Sequence, residues 1–306
     1  MTTSALSRID ARPLPRSGHN THIMPVAIVG AIILIVWYGL ALVLNGPQAT
    51  ARLAQTGAAW SFGDVLRQAF TASRPLLPTP DQIVGELVRT VLFYAPTDPH
   101  SLLYHCGVTA GTAISGFVLG SVFGAILAIG IVHSRVLEAS VMPWVVASQT
   151  VPILAIAPMA VVILGNIGLT GLLPKAIICA YLSFFPVTIG MVKGLRSSDP
   201  LVAELLKTYH ASGQQLFWKL KLPSSLPMLF TGLKVGVAVS TIGAIVAELP
   251  TGGTAGLGAR LLTGSYYGQT LQIWGALVAA AVLSLALVYT IAAIERLLLG
   301  RTGQLR

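Results

Sequence analysis

Charge is what this sequence most lacks: Asp, Glu, Lys and Arg make up only 9% of its 306 residues. A soluble globular domain carries about 25% charged residues. This chain therefore cannot cover a water-facing surface, and its mean hydropathy of +0.79 points the same way. A membrane protein is the class that remains. Cysteine is scarce as well. Cys106 and Cys179 lie far apart within apolar runs, without the C-x-x-C spacing of zinc and redox motifs, and read as small core hydrophobes. No G-x-x-x-x-G-K-[ST] occurs and no Gly-Lys dipeptide exists anywhere, which excludes a phosphate-cradling P-loop. No cluster of His, Asp or Glu has metal-ligand or catalytic spacing, so no metal ligand and no catalytic residue is assigned.

The formal net charge of +9 would suit a nucleic-acid binder, but the basic residues stand at the ends of apolar runs with few aromatics between them. That pattern sets orientation in a membrane; no nucleic-acid partner is expected. A bilayer core of about 30 Å takes about 20 apolar residues per helix. Six stretches qualify: 25–44, 106–132, 143–164, 172–192, 226–247 and 273–294. The first follows Arg8, Arg12 and Arg16, as a signal peptide would. Its apolar run exceeds a signal core and no A-x-A site follows cleanly, so it reads as a retained anchor. With both termini cytoplasmic, the inner segments sum to +7 and the outer loops to +1, with Lys234 in the fifth span completing the total. The positive-inside rule supports that orientation.

The chain thus divides into a cytoplasmic tail (1–24), an anchor (25–45), an external loop (46–104), a five-helix core (105–295) and a second cytoplasmic tail (296–306). In the external loop, LLPTPDQIVGELVRTVLF reads as one amphipathic helix. Thr79 is placed to cap it, Pro80 suits its first position, and Asp81 favours the positive helix end. Ile83, Val84, Leu87, Val88, Val91 and Leu92 share a face opposite Glu86 and Arg89, which suits a helix on the membrane surface or on the bundle.

One long polar piece interrupts the second half of the chain: ELLKTYHASGQQLFWKLKLP, from Glu204 to Pro223. Asp199-Pro200 is a helix start. Leu201, Val202, Leu205, Leu206 and Tyr209 then form an apolar side, with Glu204, Lys207 and His210 on the other. Ser212-Gly213-Gln214-Gln215 has capping-box spacing. A second short helix is expected there, running through Leu216, Phe217 and Leu220 until Leu222-Pro223 stops it, after which Pro227 opens the next span. Two short helices joined at a corner would lie flat under the membrane, with the greasy side toward the bundle and the other toward a cytoplasmic partner. On the residues alone, an amphipathic connector between two spans is an equal reading.

This segment resembles the EAA loop of ABC-importer permeases, whose pattern is E-A-A-x-x-x-G with L-P further on. Glu204 and Leu222-Pro223 match in spacing, and Ala211-Ser212 follow the glycine position. Leu205 and Leu206 replace the alanines. His210 takes the glycine place, so the corner is expected there or displaced to Gly213. LLPTPDQIV, HCGVTAGTAISGFVLG, VPILAIAPMAVVILG, LPSSLPMLFTGLKV and AELPTGGTAGLG resemble, in order, segments of the nitrate, sulfonate and taurine importer permeases over about residues 75–295.

That resemblance implies an all-α membrane protein with six transmembrane helices and the MetI-like architecture of type I ABC importers, with a coupling loop at 199–225. It implies a transport subunit of the bacterial cytoplasmic (inner) membrane, in contact with membrane lipid. Its partners would be an ABC ATPase subunit, a second permease copy or paralogue, and a periplasmic or lipid-anchored solute-binding protein. ATP and Mg would be used by the ATPase, with no cofactor in this chain. The solute would be of the nitrate, sulfonate, taurine or thiamine-precursor pyrimidine type. Glu204, Leu205, Leu206, Lys207, His210, Ala211, Ser212, Gly213, Leu222 and Pro223 become the residues that couple to the ATPase.

Other residues carry two readings each. Glu204 meets the ATPase or pairs along its helix with Lys207. Gln149, Thr150, Pro152 and Pro158 line a translocation path or pack a kinked helix, and Ser183 and Pro186 are weaker path candidates. Lys234 is functional within its span or snorkels to the headgroups. Glu248, with Gly252, Gly253, Gly256 and Gly258, forms an outer gate, meets the binding protein or begins a flexible connection. Gly107, Gly111, Ser115, Gly116, Gly120 and Gly124 form a small-residue stripe for helix packing. The rivals are an ion-coupled secondary transporter and a membrane enzyme. Acids confined to span ends and loops argue against the first, and the lack of a catalytic cluster argues against the second.

Overall fold

The computed structural model describes residues 23–56, 59–249 and 255–302, and all regular structure among them is helical. The chain divides into two compact units, 1–79 and 80–306.

In the first unit, α1 (Ile23–Gln55) is a single 33-residue helix, about 50 Å long at 1.5 Å per residue. It extends well past the expected end of the anchor at residue 45. Arg8, Arg12 and Arg16 lie outside the described residues. A second helix, α2 (Phe62–Thr71), begins at a capping box formed by Ser61 and Asp64, a signal present in the sequence and passed over. The backbone and hydroxyl of Ser61 donate to the Asp64 carboxylate and hold its pKa below the ordinary value. Val65 and Ala69 pack on Ala49 of α1. Buried Asn45 ties the following segment to α1. Its Nδ2 donates to Leu77 O at 2.8 Å and its Oδ1 accepts from Leu76 N at 2.8 Å.

The second unit opens with α3 (Pro80–Leu92), which starts at the expected proline. Ile83 is buried and Leu87 and Val91 pack into a core cluster, whereas Val84, Val88 and Leu92 stay exposed. The long helices are α4 (Leu102–His133), α7 (Leu172–Arg196), α10 (Leu222–Glu248) and α12 (Thr270–Thr302). Shorter ones are α5 (Arg135–Ala147), α6 (Ile153–Asn166), α8 (Pro200–Thr208), α9 (Gly213–Leu216) and α11 (Leu257–Tyr266). The expected tail at 296–306 begins inside α12.

Among the described residues five helices are long and apolar enough to cross a membrane, and α5 with α6 makes a sixth if the bent pair counts as one span. The span expected at 143–164 falls across both helices of this pair. The pair bends by 101°, at a 3-10 turn over Ser148–Thr150 followed by Pro152. A run of polar residues and a proline without an N–H cannot continue the ladder of α5. The Tyr181 hydroxyl of α7 donates to Ser148 O at 2.7 Å and fixes the break.

The core is a three-helix seam in which α7 packs along both α4 and α10. Glycine decides the approach. A Cβ on Gly120 would collide with Ser183 Oγ and stand 2.6 Å from Ala180 O, and one on Gly194 would stand 2.6 Å from Ser225 O. Close approach brings side-chain hydroxyls to neighbouring backbone carbonyls: Thr188 Oγ1 of α7 donates to Gly124 O of α4 at 3.2 Å, and Ser240 Oγ of α10 to Ala113 O of α4 at 2.7 Å. The expected stripe splits. Gly116, Gly120 and Gly124 face α7, while Gly107 and Gly111 face open space.

Candidate coupling site

The polar segment leaves α7 at Ser197 and re-enters the bundle at α10, with α8 between them. Asp199 Oδ1 accepts from Leu201 N at 2.9 Å and caps α8, with Pro200 in its first turn. Glu204, Leu205, Leu206 and Lys207 lie on this helix. Its apolar side differs from expectation. No residue of α8 is buried, and Leu201 and Tyr209 are 74% and 77% exposed. The greasy side turned toward the bundle in the sequence reading is instead open. In water, that exposure marks an interaction surface. Glu204 is exposed and takes part in none of the ion pairs among the described residues, so the pairing with Lys207 does not form.

The corner follows from one residue. His210 adopts φ +55°, the only non-glycine residue in the left-handed region among those described. His210 N donates to Lys207 O at 2.9 Å and Ala211 N to Leu206 O at 3.0 Å. This paired pattern is a Schellman stop, which glycine usually fills. The corner is therefore at His210 and not at Gly213, which is the first residue of α9. Ser212 and Gln215 close the expected capping box. Replacing His210 with glycine removes the left-handed penalty of about 1 kcal/mol. It is expected to raise the thermal midpoint, as read by thermal unfolding of the assembled complex.

Beyond α9 the structure departs again from the sequence reading. Leu222-Pro223 does not stop the helix. A π-helical turn over Phe217–Lys221 carries the chain directly into α10. Leu222 N donates to Phe217 O, and Pro223, which has no N–H to donate, follows as the second residue of α10. Leu206, Tyr209, Ala211, Gln215 and Lys219 line a cavity of about 120 Å³ at the corner. Ligand pockets usually hold about 300–1,000 Å³, so this hollow is small for a solute.

Residues 120–303 match the family model of the binding-protein-dependent transport system inner membrane component. The chain belongs to that family. It is 36% identical over 60% of its length to the formylaminopyrimidine transport permease protein ThiX of Halalkalibacterium halodurans, covering 68% of that protein. It is 31% identical over 73% of its length to the riboflavin transport system permease protein RibX of Chloroflexus aurantiacus, covering 79% of it. With the putative aliphatic sulfonates transport permease protein SsuC of Bacillus subtilis, identity is 27% over 69% of this chain and 72% of the other. A solved amino acid ABC transporter with histidines shares the fold at TM-score 0.51 and 14% identity, over 65% of this chain and 93% of that one. The protein is therefore a multi-pass inner-membrane permease of an ABC importer, a transport component whose ATPase is a separate subunit.

In this permease the path candidates separate. Gln149 and Thr150 are exposed at the break between α5 and α6, with Pro152 capping α6 and Pro158 within it. Ser183 and Pro186 are drawn into packing: Ser183 is fully buried against Gly120, and the Pro186 carbonyl faces Gly232 of α10. Lys234 Nζ pairs with Glu295 of α12 at 2.6 Å.

Glu248 is fully buried at the end of α10, and its Oε2 accepts from Thr109 Oγ1 at 2.9 Å and from Gly258 N at 2.9 Å. Thr109 Oγ1 in turn accepts from Leu257 N at 2.9 Å. Gly256 N donates to His105 Nδ1 at 3.0 Å, while His105 Nε2 lies 2.8 Å from Pro99 O. The ring thus carries its hydrogen on Nε2. In the turn ahead of α4, the His100 backbone N–H and ring hold the Asp98 carboxyl below its ordinary pKa. Gly252 and Gly253 lie outside the described residues.

Proposed function

We propose that α8 and the His210 corner dock on a cytoplasmic ABC ATPase subunit, and that ATP hydrolysed there with Mg drives a small solute through this permease. The open apolar side of α8, held away from the bundle by the corner, carries the reading. An amphipathic helix with nothing packed on its greasy face is suited to a hydrophobic groove on a partner. Glu204, Leu205, Leu206, Lys207 and His210 supply the contact; Ala211, Ser212 and Gly213 shape the corner; and Leu222-Pro223 join it to α10. Both termini lie in the cytoplasm, as the charge balance indicates. A second permease copy or paralogue completes the membrane part, a periplasmic or lipid-anchored binding protein delivers the solute, and lipid surrounds the spans. Gln149, Thr150, Pro152 and Pro158 contribute to the path at the break.

The solute is of the nitrate, sulfonate or taurine type, or of the thiamine-precursor pyrimidine type. The relatives named for formylaminopyrimidine and aliphatic sulfonates support that range, and the riboflavin relative supplies the rival solute for the test. Formylaminopyrimidine, riboflavin, an alkanesulfonate, taurine and nitrate are each offered to the cognate binding protein, followed by ATPase assay of the assembled complex. One of them is expected to bind and stimulate hydrolysis. Stimulation by riboflavin alone would contradict the proposed solute class, and stimulation by none would contradict the range as a whole.

A further inference from the structure

The geometry points to a second working part of the permease, at the end of α10 remote from the coupling segment. The 27 residues of α10 span about 40 Å. At one end the helix continues without a break through the π-helical turn and α9 to the His210 corner. At the other it ends on Glu248, whose carboxylate is bound to Thr109 of α4 and to the Gly258 N–H of α11. We propose that this clasp is the far anchor of α10, through which a displacement at the coupling segment reaches α4 and α11. Glu248 and Thr109 are its positioning residues. The proposal rests on the coupling reading above.

Packing alone does not require this chemistry. Apolar side chains would join the same helix ends without the cost of burying polar groups. Directional hydrogen bonds instead fix one register between the three elements. Thr109 and Glu248 are each 0% exposed and His105 is 2% exposed, so the links do not compete with water. The glycines complete the fit. Gly256 has φ +112°, and a Cβ there would collide with the Glu248 carboxylate; a Cβ on Gly258 would stand 2.8 Å from Glu248 Cβ. Only a chain without side chains at these points closes over the carboxylate.

The test uses the complex assembled with its ATPase subunit, in a background carrying Cys106→Ser and Cys179→Ser. Tyr266→Cys, at the exposed end of α11, is labelled with a membrane-impermeant maleimide in the nucleotide-free and the vanadate-trapped states. With the clasp intact, the labelling rate differs between the two states. Thr109→Val removes the hydroxyl at nearly constant volume and is expected to shrink that difference about tenfold, the scale of a lost hydrogen bond to a charged group. Thr109→Ser, which restores the hydroxyl, is expected to keep it. Glu248→Ala should act as Thr109→Val does where it assembles. Basal ATPase activity should persist in the valine variant. An unchanged nucleotide response in Thr109→Val overturns the proposal, as does equal loss in the valine and serine variants. Absence of any response with Thr109 intact overturns the coupling reading itself and the clasp with it.

Discussion

His210→Pro will lower solute import by about 100-fold or more while leaving membrane insertion intact. Proline fixes φ near −65° and has no N–H, whereas His210 stands at φ +55° and donates to Lys207 O. The corner therefore loses both its backbone conformation and a hydrogen bond. A penalty of about 3 kcal/mol corresponds to roughly a hundredfold in rate where the corner must form for coupling. The spans are untouched, because α8 buries no residue against them. Glu204→Ala is expected to act in the same direction with a smaller effect, since it removes one exposed charge and leaves the corner standing. Import and ATPase activity are measured together in proteoliposomes. The signature is hydrolysis that persists with little transport, and full coupled transport in both variants would refute the role of the segment.

The second large effect is structural. Gly120→Val places a branched side chain where Ser183 Oγ and the Ala180 backbone already stand, the Ala180 carbonyl only 2.6 Å from the new Cβ. Backbone atoms on a packed helix cannot rotate aside, so α4 and α7 must separate and give up the Thr188–Gly124 hydrogen bond. A cost of about 3 kcal/mol, the upper end for overpacking, is expected, read as a large fall in thermal midpoint in detergent. Gly111→Ala is the control. Nothing lies within 4 Å of its Cβ position, and alanine favours a helix over glycine, so stability should hold or rise. Equal loss in both variants would show that the seam is not where glycine matters.

These two positions show how far sequence reasoning reaches. Span number, the start of α3 at Pro80 and the caps at Asp199 and Ser212 were legible because each depends on neighbouring residues. The stripe of small residues on α4 was legible as a stripe. Which glycines touch α7 was not, because that depends on helix rotation set by distant packing. A kink was one reading of Pro152 and Pro158, but the size of the bend was not legible, because it depends on contacts with a distant helix such as Tyr181–Ser148. The π-helical turn hid the continuity of the coupling segment with α10, because proline normally ends a helix. Lys234–Glu295 and Thr109–Glu248 join residues far apart in the chain, and a single sequence offers no signal for such pairs. The apolar side of α8 was correctly read as a face and wrongly turned inward, since periodicity locates a face but not what covers it.

Photo-crosslinking from the coupling helix tests the central claim most directly. A photoreactive amino acid at Leu205, which is 55% exposed on α8, is predicted to form its main adduct with the ATPase subunit in the assembled complex. The same group at Leu119, exposed on α4, should form none. An adduct between Leu205 and another part of the permease, with none to the ATPase, would contradict the account.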